Sequence, residues 1–179
     1  MKIAIIGYSG SGKSTMAKRI SERFGIPVLY LDTVHWLPGW VERETDESRR
    51  IVKEFLDTHG EWVIDGNYKK LEHERRMREA DHIVFMDFPR IRCFFRAWKR
   101  ARRFRGKTRE SITDGCEEKF DAEFRRWILK DSRTKAAVER YKSYRDRYPE
   151  KFHRVRSDRE SEAFFASLLK DAPGGEEKK

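Results

Sequence analysis

The sequence predicts an α/β fold: a parallel sheet of five strands between layers of helices, with a short, helical, arginine-rich lid over one edge. Three observations predict it. Short apolar runs alternate along the chain with segments whose apolar residues fall at helical spacing. Those runs are apolar on consecutive residues, as suits strands covered on both faces. The first run leads straight into a glycine-rich turn and an amphipathic helix, and one later segment carries the whole excess of cationic charge.

In chain order, residues 1–7 form the first strand and 13–24 the first helix, with Met16, Ala17, Ile20 and Phe24 on one side. Gly25 caps that helix and Pro27 prevents its continuation. A second strand over 28–31 ends in Asp32, and an irregular stretch with two tryptophans follows to Trp40. Thr45 or Asp46 opens a helix to about residue 58, with Ile51, Val52, Phe55 and Leu56 on its apolar face. The third strand, 62–65, runs into Gly66-Asn67-Tyr68. A charged helix over 71–80 and a fourth strand over 82–87 come next. Residues 90–104 read as a helix with Ile91, Phe95 and Trp98 inward and Arg92, Arg96, Arg100 and Arg103 on an adjoining face. After a loop over 105–115, helices are expected over 117–130 and 133–147, then a fifth strand over 152–156 and a last helix capped by Asp158.

The chain has 179 residues, which bounds it to one domain, placed here at 1–170 with the lid at about 102–116. The polar, glycine-containing end, 171–179, is expected to be disordered. No apolar run approaches the roughly 20 residues of a membrane span, and the start of the chain has no secretory pattern. Two cysteines fit a reducing compartment, so a cytoplasmic location is expected. Five Trp and twelve Phe imply a partly aromatic core. Net charge is +10, yet residues 90–109 contain ten Lys or Arg and no acid; without them, basic and acidic residues balance at 31 each. The excess belongs to one segment, and a partner or substrate must account for it.

The opening turn carries the chemistry. Gly7-x4-Gly12-Lys13-Ser14 is the phosphate-binding loop pattern. Gly7, Gly10 and Gly12 leave the backbone bare, so that its N–H groups curl round a phosphate together with those of Ser9, Ser11 and Thr15. Lys13 supplies a charge to the outer phosphates and Ser14 a hydroxyl to Mg²⁺. Asp65, at a strand end, is a second candidate for the metal. Asp32 faces the acceptor region, where it orients an acceptor hydroxyl or takes its proton. His35, Trp36, Asn67 and Tyr68 are candidates for the acceptor pocket, although the same residues also suit core packing. Arg96 and Arg100 are the candidates for stabilising a phosphoryl group in transfer, with Arg103, Arg109, Arg125 and Arg126 behind them. Nucleic acid is the rival explanation for the basic segment.

The order of these parts resembles the adenylate kinase-like, or nucleoside monophosphate kinase-like, branch of the P-loop NTPase fold. The loop, Asp65-Gly66, Asp87-x-Pro89 and the Arg96/Arg100 pair carry the resemblance, over about residues 1–169. It implies ATP and Mg²⁺ on Lys13 and Ser14, with Asp65 near the metal. It further implies Arg96 on the adenine or phosphate side, Arg100 on phosphates, and a lid that closes after the arginine helix. Residues 35–40, 62–68 and 114–117 resemble more finely the proteins called DNA topology modulation proteins (FlaR-like). Two features depart from the monophosphate kinases: Asn67-Tyr68 replaces their Pro-Arg, and residues 32–40 are nearer to shikimate and gluconate kinases. The expectation is an ATP-dependent kinase acting on a small molecule or nucleotide. A nucleic-acid-binding ATPase and a nucleotide-binding regulator without transfer activity are the alternatives.

Overall fold

The computed structural model describes residues 1–171. β1 (Lys2–Gly7) runs into α1 (Lys13–Phe24), and β2 (Val28–Tyr30) into the short α2 (Leu31–His35). A hairpin of β3 (Trp36–Leu37) and β4 (Val41–Glu42) precedes α3 (Thr45–Thr58) and β5 (Trp62–Asp65). Then come α4 (His73–Glu79), β6 (His82–Met86), α5 (Arg90–Arg103), α6 (Ala122–Leu129), α7 (Lys135–Arg147), β7 (Phe152–Val155) and α8 (Asp158–Asp171).

The main sheet has the order β2-β5-β1-β6-β7, and every neighbouring pair is parallel. β1 is the pivot: β5 and β2 lie to one side of it, β6 and β7 to the other. Ligands in such sheets bind beyond the carboxyl ends of the strands, where the winding reverses. Here that place is the glycine-rich loop after β1. All four residues of β5 are buried, as are Ile3–Ile6 of β1. Successive strand residues point to opposite faces, so both faces of the sheet centre are covered. The aromatic part of the core stands beside β6, where Phe85 stacks on Tyr141 with centroids 4.1 Å apart and Tyr8 meets both rings edge-on. Among the described residues, no helix is long and apolar enough to cross a membrane.

Several boundaries differ from expectation, each for a local reason. The second strand stops at Tyr30, because Leu31 turns inward as the first residue of α2, so Asp32 sits in a helical first turn and not at a strand end. The tryptophan stretch is ordered as the β3–β4 hairpin, turned by Pro38–Trp40 with Gly39 and Trp40 both at positive φ. Thr45 is already helical and makes no cap, and Ser157 caps α8 by accepting from the Glu160 N–H, while Asp158 is its first helical residue. The helix expected over 117–130 begins at Ala122, because Asp121, itself extended, caps it by accepting from the Phe124 N–H, and residues 117–120 form no helix. On α5 the inward residues are Cys93 and Ala97; Ile91, Phe95 and Trp98 are 58%, 53% and 38% exposed. Small side chains win that face because the helix presses on the glycine-rich loop. α8 reaches Asp171, one residue into the tail expected at 171–179, and 172–179 lie outside the described residues.

Buried His73 opens α4, and its imidazole is held down to about 3 from the usual 6.5, by burial first and by the Arg76 charge second. The unfolded chain takes up a proton near 6.5 that the folded chain refuses until about 3, so stability falls as pH drops through that window. Replacing His73 with Gln flattens this dependence. Urea unfolding of both proteins from about pH 7 to about pH 4 checks it through the slope of stability against pH.

Candidate active site

The loop after β1 is shaped by close approach. A Cβ on Gly7, at φ 140°, would lie 2.5 Å from the Met86 carbonyl oxygen, and one on Gly10 would lie 2.3 Å from that of Cys93. Only glycine lets β1 pass β6 and lets the loop lie against α5 in this way. The neighbouring strand end holds the loop from its other side. The Asn67 amide accepts from the Gly7 N–H at 2.9 Å and donates to the Gly7 carbonyl at 2.7 Å. Gly12 supplies the left-handed turn into α1, and Lys13 Nζ reaches back to donate to the Tyr8 carbonyl at 3.2 Å.

Asp65 closes β5 against the start of α1. One carboxylate oxygen accepts from the Ser14 hydroxyl at 2.6 Å, while the other, Oδ1, is buried without a partner among the described residues. Burial pushes this carboxyl above its usual range; the Asp32 charge adds to the rise, and Lys13, Ser14 and Arg109 act against it. Among the described residues no three His, Cys, Asp or Glu gather into a metal cage. A hydroxyl and an underused carboxylate beside a phosphate loop still fit Mg²⁺, which takes few protein ligands and shares phosphate oxygens.

α5 lays its arginines along the same cleft. Arg96 donates to the Ser11 carbonyl at 2.8 Å, lies over the Phe88 ring at 4.4 Å and pairs with Asp158. Arg92 also pairs with Asp158, at 3.3 Å. Arg100 and Arg109 converge on one carboxylate, Glu118, whose side chain is 5% exposed. Arg109 lies 3.8 Å from Asp32 as well. Burial lowers the Arg100 pKa, and the nearby Arg109 charge lowers it further. Arg125 and Arg126 turn instead to Asp121 and Asp131.

Asp32 marks the far side, where it accepts from the Tyr68 hydroxyl at 2.8 Å. Trp36 and Trp40 meet edge to face at 5.5 Å. His35 stands behind them, 4.5 Å from the Tyr68 ring and 4.6 Å from that of Trp36, and it does not line the cleft. The hairpin is stitched to the segment after α5. Thr113 donates to the Trp36 carbonyl, Gly39 N–H to the Gly115 carbonyl at 3.1 Å, and Trp40 Nε1 to the Glu117 carbonyl at 3.0 Å. One cleft of about 1770 Å³ thus brings together Lys13, Ser14, Asp32, Asp65, Arg96, Arg100 and Arg109.

The family model described as "AAA domain" matches residues 3–126. The chain belongs to this AAA domain family. It is 38% identical over 73 residues to a shikimate kinase of Flavobacterium johnsoniae, a match covering 41% of this chain and 35% of that protein. It is 35% identical over 79 residues to an adenylate kinase of Thermotoga neapolitana, covering 44% and 34%. The chain therefore spans about a third of the length of these relatives. In fold it is similar to deoxyadenosine kinase from M. mycoides with products dCMP and a flexible dCDP bound. The TM-score is 0.54 at 16% identity, over 95% of this chain and all of that one. The same enzyme with dATP bound superposes with a TM-score of 0.53 at 16% identity, over 94% and 99%. The fold is that of the P-loop kinases.

Two cleft residues escaped sequence reading. Glu118 is a charge amid other charges in a segment read as helix. Trp127, whose type and place in the helix expected over 117–130 suit an apolar stripe, is 47% exposed and its Nε1 donates to the Ser9 hydroxyl at 3.3 Å. A third residue, Arg76, supports the cleft from beneath. It is fully buried and donates to the carbonyls of Leu71, Gly66 and Tyr68 at 2.9, 3.1 and 2.8 Å, fixing the segment that presents Asn67 and Tyr68. Arg76→Met removes this donor from all three carbonyls, of which only that of Tyr68 keeps a second one, the Leu71 N–H at 3.3 Å. It lowers stability by about 2 kcal/mol or more, since each orphaned buried acceptor costs about 1–3 kcal/mol and the relief of burying no cation offsets only part. The urea midpoint reads this loss.

Proposed function

We propose that the protein is an ATP-dependent phosphotransferase that moves the γ-phosphoryl group to a hydroxyl of a small molecule or nucleotide. The observation that carries this reading is the shared cleft: a phosphate loop at one wall, a carboxylate at the other and two arginines between. In the transfer, the bond between the γ-phosphorus and its bridging oxygen breaks and one from the acceptor oxygen forms. Asp32 orients the hydroxyl and takes its proton, with Tyr68 holding the carboxylate in place. Lys13, Arg96 and Arg100 draw off the charge that spreads over the phosphoryl oxygens. Ser14 and Asp65 would hold Mg²⁺, which neutralises phosphate charge when bound.

The aromatic wall of Trp36 and Trp40 suits an acceptor with a flat face. No arginine follows Asp65-Gly66, so the acceptor phosphate contact of monophosphate kinases has no counterpart there. Residues 102–116 serve as the lid, which excludes water by bringing Arg109 over the phosphates. The relatives named as kinases support this reading, and a cytoplasmic location belongs to the same proposal.

A second reading rests on a different face. Exposed Phe95 and Trp98 alternate with Lys99 and Arg102 on α5, and the Arg102 guanidinium lies 5.0 Å over the Trp98 ring. Basic and aromatic groups so interleaved suit nucleic acid, as the DNA topology modulation resemblance implies. ATP hydrolysis stimulated by DNA, with binding that falls steeply as salt rises, would establish it.

Incubation with ATP, Mg²⁺ and a panel of nucleosides, nucleoside monophosphates, sugars and hydroxy acids, followed by mass analysis, yields one phosphorylated product. Lys13→Ala abolishes that product while circular dichroism is unchanged. Asp32→Asn lowers turnover by about 10²–10⁴ with little change in ATP affinity, the range expected for a lost general base. ATP binding without transfer to any acceptor would leave a nucleotide-binding regulator in place of an enzyme.

A further inference from the structure

A second cavity, of about 510 Å³, opens between α4 and α7. Lys69, Arg140 and Arg147 supply three cations to its lining, and Glu74 supplies the one carboxylate. That carboxylate is already taken by Arg147, at 2.6 Å. Among the described residues neither Lys69 nor Arg140 has an ion-pair partner, and both also border the large cleft. The lining therefore carries two uncompensated positive charges, close enough to His73 to disfavour its protonation.

His73 adds a directional group. It is 6% exposed and lines the same cavity, with its ring 5.0 Å from that of Tyr144. Arg76 Nη2 lies 3.2 Å from His73 Nδ1. A guanidinium only donates, so Nδ1 must accept. The neutral ring then carries its proton on Nε2, and Nε2 is buried with no partner among the described residues. A buried N–H without an acceptor is costly, and it is satisfied by a ligand or water that accepts.

We propose that this cavity is a second anion site, built for a small ligand that carries a phosphate group. The charge count selects the chemistry: a phosphate dianion matches two free cations, whereas a single carboxylate leaves one unmatched. The terminal oxygens of a phosphate ester dianion are acceptors only, and inorganic phosphate still offers three unprotonated acceptor oxygens, which is what the His73 Nε2–H, the Lys69 ammonium and the Arg140 guanidinium require. The volume lies within the range of small-molecule sites, so the phosphate can belong to an ester, with the Tyr144 ring as an apolar wall.

The test uses the full chain with its phosphate loop filled by a non-hydrolysable ATP analogue and Mg²⁺. Inorganic phosphate is titrated by calorimetry, and the His73 ring nitrogens are followed by ¹⁵N nuclear magnetic resonance. Binding that moves the His73 Nε2 resonance supports the site. Arg140→Gln and, separately, exposed Lys69→Gln each weaken binding by about tenfold, the loss expected for one charge-assisted hydrogen bond. A parallel titration with ribose 5-phosphate separates the sources: tighter binding than inorganic phosphate identifies an ester, and equal binding identifies free phosphate. Heat of binding that leaves His73 unmoved and both variants unaffected would overturn the proposal, as would no binding of either probe. The His73 readout does not depend on phosphoryl transfer, so it stands apart from the fate of the kinase reading.

Discussion

The cleft depends on a single desolvated cation. Arg76 lies fully buried with no carboxylate paired to it among the described residues, and backbone carbonyls replace the water it has lost. Burial draws its pKa to about 10, against an ordinary 12.5, which still leaves it charged at neutral pH. What it fixes is the turn after β5. That turn presents Asn67, which clamps both backbone groups of Gly7, and Tyr68, which holds Asp32. One guanidinium thus supports both walls of the site while touching neither the phosphate loop nor Asp32.

The excess charge of residues 90–109 is only partly a solvent-facing property. Arg92 and Arg96 meet Asp158 at the start of α8, and Arg100 and Arg109 share Glu118. These acids come from other parts of the chain. A segment that would repel itself in isolation is therefore organised by carboxylates set along the rim of the cleft. Because Glu118 is almost wholly buried, its pairs are less screened than the surface pairs elsewhere on the molecule.

Legibility followed the range of each interaction. The phosphate loop, the parallel sheet and the Gly25 cap are local patterns, and they read directly from residue type and spacing. Asp65 beside Ser14 was legible because a strand end and a helix start meet at one sheet edge. The rotation of α5 was not. Its largest apolar residues argued for one inward face, yet the bare backbone at Gly10 demanded that Cys93 pack closely there. Trp127 depends on a partner 118 positions away, which no window of sequence contains. Glu118 has Arg109 nine positions away, yet so many arginines stand near it that spacing alone does not select the pair. Asn67 reads as an acceptor contact from its position, and only its two bonds to Gly7 show that its amide is occupied.

The stitching of the β3–β4 hairpin to residues 113–117 has a mechanical consequence. Where residues 102–116 close as a lid, a wall and a roof joined by these bonds would swing together as one flap. On the kinase reading, the vestibule that admits the second substrate and the cover that keeps solvent from the donor share one hinge. Release of product then uncovers the nucleotide at the same moment. Turnover in such a device is governed by how long the flap stays shut, and any tightening of those threads trades speed against leakage.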